Sequence, residues 1–94
     1  MDVWIETTAG TLVKASATTH ITMRQNDKTS SWDVSVSASA APAPFATGLA
    51  DKEAARSVRN TLALSMSTAS SAEAPQVVVY DDEDLSVNSY TLAA

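Results

Sequence analysis

The chain has 94 residues, no cysteine, and a formal net charge of -5 from eleven acidic and six basic side chains. The length predicts one small domain, and the lack of cysteine excludes disulfides, thiolate metal sites and a cysteine nucleophile. The basic residues are scattered and the net charge is negative, so we expect no nucleic-acid partner. No long apolar run is present, and the acidic N-terminus is unlike a secretory signal. We therefore expect a cytoplasmic protein with no membrane span.

Two hairpins are predicted in the first half of the chain. Residues 2–7 are β-branched and aromatic, Gly10 suits a tight turn, and residues 11–16 form the returning strand. Residues 18–25 and 32–40 alternate between apolar and polar side chains, as a half-buried strand does. The polar face of this second hairpin is expected to face solvent; its members are Thr18, His20, Thr22, Ser35, Ser37 and Ser39.

One helix is predicted, over about residues 51–69. Asp51 is its N-cap or a favourable acid in its first turn, and the apolar residues that follow recur at helical spacing. The prolines of segment 41–44 end the preceding strand or lie at a sheet edge. After a serine-rich linker, residues 76–80 indicate a strand buried on both faces, and residues 85–92 alternate as a last strand.

Together these elements predict an α+β domain. Its antiparallel sheet of about five to seven strands is covered on one face by the single helix. Large apolar residues are few, so the core is small and self-association would enlarge it. The predicted core positions are Val3, Ile5, Leu12, Ile21, Met23, Val34, Val36, Val58, Leu62, Met66, Val78 and Leu85.

Two short motifs and the order of the elements resemble a group of small, functionally uncharacterised bacterial and phage proteins. The motifs are Trp4-Ile5-x-Thr7-x-x-Gly10-x-Leu12-Val13 and Gly48-Leu49-x-Asp51-x-Glu53-Ala54. The resemblance covers about residues 3–69 and implies a meander of four or five strands followed by one helix. The group has no assigned activity, so the resemblance implies a fold and no function.

Two features could carry chemistry. His20 is the only histidine, and as a general base it would need an aligned nucleophile and an acid nearby. Its place on a polar strand face, without a Gly-x-Ser-x-Gly motif, favours a surface histidine. The four consecutive acids of segment 81–84 could bind Ca²⁺ or Mg²⁺ or form an anionic docking patch. Adjacent acids in an extended chain point apart, which favours a solvated turn.

The leading hypothesis is a small non-enzymatic binding or structural module without cofactor or metal. Its partner would be another protein or a second copy of the chain. Trp4 and Trp32 are expected to pack within the sheet, but an outward-facing Trp4 would be a contact residue. The candidate partner contacts are Trp4, His20, Asp82 and Asp84. One alternative is a small hydrolase or metal-dependent enzyme that uses His20 or the acidic turn 81–84. Another alternative is a phage-encoded virion or host-takeover factor.

Overall fold

The computed structural model describes residues 2–37 and 42–92. The α+β class is confirmed: these ranges contain seven strands and one α-helix. In chain order they are β1 (Val3–Glu6), β2 (Leu12–Lys14), β3 (His20–Gln25), β4 (Trp32–Ser37), β5 (Ala43–Leu49), α1 (Lys52–Ala69), β6 (Gln76–Asp81) and β7 (Ser86–Thr91). A single turn of 3₁₀ helix, Ala15–Ala17, follows β2.

The strands divide into two sheets, whereas the sequence predicts one antiparallel sheet. The order is β2-β1-β6-β7 in the four-stranded sheet and β3-β4-β5 in the three-stranded sheet. Both predicted hairpins, β1–β2 and β3–β4, are confirmed as antiparallel pairs. The pairing of β1 with β6 is parallel. Parallel neighbours need a long connection, and here that connection includes the second sheet and the helix.

The helix begins where its N-cap predicts. Asp51 Oδ1 accepts a hydrogen bond from Ala54 N at 2.8 Å, which satisfies one of the backbone donors that a helix start leaves free. The buried face of α1 includes Val58 and Leu62 and belongs to one core with residues of both sheets. The two sheets therefore share one hydrophobic core with the helix.

Most of the predicted core is confirmed. The core positions that are buried as predicted are Val3, Ile5, Val34, Val36, Val58, Leu62 and Val78. Ile21, Met23 and Met66 are partly buried against them. Six further hydrophobic residues are buried although they are not among the predicted core positions, namely Phe45, Ala46, Leu49, Ala55, Ala69 and Val77. Of these, Val77 lies in the segment 76–80 that the sequence predicts to be buried on both faces, and Ala55 and Ala69 lie on the predicted apolar face of the helix.

The core prediction is wrong for two residues, Leu12 and Leu85. Leu12 is 38% exposed because it lies opposite Glu6, while its neighbour Val13 lies opposite the buried Ile5. Leu85 is 72% exposed because it lies in the tight turn between β6 and β7, with a left-handed φ of 56°. For Leu12, a one-residue difference in register decides which side chain of β2 reaches the core.

The polar face of the β3–β4 hairpin is found where the alternation predicts it. His20 and Thr22 are exposed, and their ladder partners Ser37 and Ser35 are half-buried. Thr18 is half-buried just before β3, and Ser39 lies outside the described residues.

Candidate functional site: the outer face of the four-stranded sheet

The four-stranded sheet has two chemically different faces. Val3, Ile5 and Val78 point from one face into the shared core. Directly paired residues share a face of a sheet. Trp4 is paired with Lys14 of β2 and with Val77 of β6, and Val77 is paired in turn with Tyr90 of β7. These four residues therefore form one row on the same face. This row crosses all four strands on the side away from the core. We call this side the outer face.

The outer face carries apolar and aromatic side chains beside polar ones such as Glu6, Lys14 and Asn88. Besides the row through Trp4, strand alternation assigns further apolar residues to it, namely Leu12, Val79 and Leu92. Leu12, Tyr90 and Leu92 are 38%, 46% and 40% exposed. They are three of the large hydrophobic residues that remain exposed in the described part of the chain.

Val77 is completely buried although it lies on the outer face. It does not belong to the shared core, so its burial reflects cover by neighbouring side chains of its own face. Its direct ladder neighbours there are Trp4 and Tyr90. Val77 is therefore the buried centre of the row in which Trp4 and Tyr90 flank it.

Polar side chains lie among and beside these apolar residues. Tyr90 donates a hydrogen bond from its hydroxyl to Glu6 Oε1 at 3.3 Å. Burial, the charge of Glu6 and this hydrogen bond raise the pKa of Tyr90 above its ordinary value. On the other side of Trp4, Lys14 Nζ lies 3.9 Å from Asp2 Oδ1. Aromatic side chains surrounded by polar groups are common in protein-binding surfaces.

Of the four residues predicted from the sequence as partner contacts, only Trp4 lies on the outer face. Trp4 is half-buried there and faces away from Val3 and Ile5. The other members were missed because the sequence does not show which strands are neighbours. The sequence feature that could have indicated this surface is the alternation of β1. It directs Trp4 and Glu6 to the face opposite Val3 and Ile5.

His20 lies apart from the outer face, in the three-stranded sheet. It is exposed, and its Nδ1 is 2.9 Å from Thr19 Oγ1. Thr19 also donates its hydroxyl to Ser37 O at 3.2 Å. These contacts tie the start of β3 to the end of β4.

The acidic segment 81–84 forms the turn between β6 and β7. Asp81 Oδ1 accepts hydrogen bonds from Glu83 N at 2.9 Å and Asp84 N at 3.3 Å. A side chain that accepts from the backbone two and three residues later is a common turn device. Asp81 thereby has a structural role, while Asp82 and Asp84 are exposed.

Asp82 also lines a small cleft near the end of the four-stranded sheet. The cleft has a volume of about 290 Å³, and its other lining residues include Glu6, Phe45 and Tyr80. Burial, with the charges of Asp82 and Asp81, raises the pKa of Tyr80 above its ordinary value. The neutral form of Tyr80 therefore persists to higher pH than that of an unperturbed tyrosine.

Residues 2–37 and 42–92 contain no group of three or more His, Asp or Glu side chains placed to hold a metal ion. These residues also contain no helix with the length and hydrophobicity that crossing a membrane requires.

No family model matches the chain, and comparisons with curated proteins and with solved structures find no match. The resemblance of residues 3–69 to small bacterial and phage proteins therefore stays a prediction.

Proposed function

We propose that this chain is a small non-enzymatic binding module of the cytoplasm, and that it contacts its protein partner through the outer face. The observation that carries the proposal is the set of exposed apolar side chains Leu12, Tyr90 and Leu92 around Trp4. Exposed apolar patches with a polar border are typical of interaction sites. Aromatic residues are the side chains most often found at the centre of such interfaces.

The size of the outer face indicates the strength of binding. Four strands about 4.8 Å apart span about 14 Å from the first strand to the last, and strands of three to six residues extend about 10–20 Å. The face is thus a few hundred Å², less than the roughly 800 Å² that each partner contributes to a standard complex. We therefore expect transient binding to a partner with an apolar surface of matching size.

The test is affinity capture from a lysate of the source cells, with variants that change one surface at a time. Leu12→Lys and Tyr90→Lys place a charge on the outer face. The matched control is Leu64→Lys, since Leu64 is 68% exposed on α1 and lies away from the outer face. Circular dichroism verifies that each variant is folded.

The expected result is a protein captured by the wild type and by Leu64→Lys but lost with both outer-face variants. The proposal is contradicted if the outer-face variants capture the same proteins as the wild type, or if the wild type captures nothing.

A further inference from the structure

The edge strand β7 differs from the other edges of the two sheets. A free edge carries unpaired N–H and C=O groups, and proteins protect such edges with short strands, charges, prolines or bulges. Strand β2 has three residues and carries Lys14, and β3 carries the exposed Arg24. Strand β5 contains Pro44, and its ladder with β4 is interrupted by register shifts. Strand β7 has six residues, a regular ladder, and no charge or proline.

The hydrogen-bond pattern shows which groups of β7 face the open edge. Leu92 N donates to Pro75 O at 2.8 Å, so Leu92 points its backbone towards β6. In an antiparallel ladder, residues alternate between pointing towards and away from the neighbouring strand. Val87, Ser89 and Thr91 therefore direct their N–H and C=O groups away from β6, to the open edge.

We propose that β7 pairs antiparallel with β7 of a second copy of this chain, around a two-fold axis at Ser89. Val87 of each copy then lies opposite Thr91 of the other, and the two Ser89 residues lie opposite each other. This register uses all six outward N–H and C=O groups on each copy. With the axis at Asn88 or Tyr90, only two of the three pairs of outward-facing residues would form, because the third residue would lie opposite a position outside β7. A register that is complete and symmetric is what an isologous dimer requires.

The charges of the chain are compatible with this pairing. The side chains that meet across the axis are uncharged. The acidic turns fall at opposite ends of the interface, because Asp84 lies five positions from Ser89. At about 3.4 Å per residue the two turns are about 34 Å apart, well beyond the screening length of roughly 8 Å at physiological salt. The repulsion between two copies of net charge -5 is therefore weak at the contact itself.

The dimer would contain a continuous sheet of eight strands, with the two outer faces side by side. A single added strand pair buries less surface than a standard complex, so we expect association that depends on concentration. The inference depends on the edge of β7 and not on the proposed function. A monomer that still captures a partner through its outer face would overturn the dimer alone.

The test is sedimentation equilibrium from about 1 µM to about 200 µM, the range in which micromolar association becomes visible. The expected mass rises with concentration from 9.8 kDa to twice that value. A wild-type chain that remains monomeric throughout this range overturns the inference.

Charge substitutions at Ser89 test the register. Ser89→Lys places two like charges opposite each other, and the expected result is a monomer at every concentration. Mixing Ser89→Lys with Ser89→Glu pairs opposite charges and should restore the dimer. The matched control is Thr22→Lys, which adds the same charge at an exposed position of another edge strand and should leave the dimer intact. A dimeric Ser89→Lys, or a mixture that stays monomeric, contradicts the register.

Discussion

Replacement of Phe45 tests whether the two sheets share one core. Phe45 in β5 is 2% exposed, and its ring centroid lies 6.3 Å from that of Tyr80 in β6. Phe45→Ala removes a buried aromatic ring at the junction of the sheets, and such changes cost about 3–5 kcal/mol. For a chain of this length a free energy of unfolding of about 5–14 kcal/mol is typical, so the loss is a large fraction of the total. Leu64→Ala is the control, because an exposed side chain should change stability by less than about 0.5 kcal/mol.

The assay is urea unfolding followed by tryptophan fluorescence. The chain has two tryptophans, with Trp4 in the four-stranded sheet and Trp32 in the three-stranded sheet. In the single-tryptophan variants Trp4→Phe and Trp32→Phe, the remaining tryptophan reports on one sheet. If the core is shared, Phe45→Ala lowers the free energy of unfolding by the same amount whether it is measured from Trp4 or from Trp32. A cost below about 1 kcal/mol, or a shift confined to one sheet, would refute the shared core.

Three further substitutions follow from local geometry. Asp51→Ala removes the bond to Ala54 N and should lower the free energy of unfolding by about 1 kcal/mol; a change near zero in urea denaturation would contradict the cap. Gly10 has φ 82° with open space around an added Cβ, so Gly10→Ala should cost about 1 kcal/mol from backbone conformation alone, and an unchanged thermal midpoint would contradict this. The raised pKa of Tyr80 means that the unfolded chain loses the phenolic proton first as pH rises. The stability that Tyr80 contributes through this pKa difference is complete below the unfolded pKa of about 10, and it is lost as pH rises through the folded pKa. Tyr80→Phe should therefore show a smaller loss of stability than wild type between neutral and strongly alkaline pH, and equal losses would contradict the effect.

The parts of the fold that depend on local pattern could be predicted from the sequence. The alternation from Trp32 to Ser37 identifies β4 because it places valines on one face and serines on the other. Asp51 followed by an amphipathic segment identifies the helix and its start. Short-range hydrogen bonding and side-chain periodicity determine these features.

The division into two sheets could not be predicted in the same way. It depends on the parallel pairing of β1 with β6, two strands that are separated by most of the chain and whose contact has no local signature. The outer face depends on the same pairing, because Trp4 reaches Tyr90 only through Val77. The sequence therefore identified Trp4 as a candidate contact but not the surface around it.

Site-specific photo-crosslinking tests the outer face as the contact surface most directly. Benzoylphenylalanine would replace Tyr90 or Leu12 on the outer face, and Leu64 on α1 as the control. All three positions are exposed, at 46%, 38% and 68%, so the probe differs only in the surface it samples. We expect the partner to crosslink from positions 90 and 12 and not from position 64. Crosslinking from position 64 alone, with none from the outer face, would contradict the proposed binding surface.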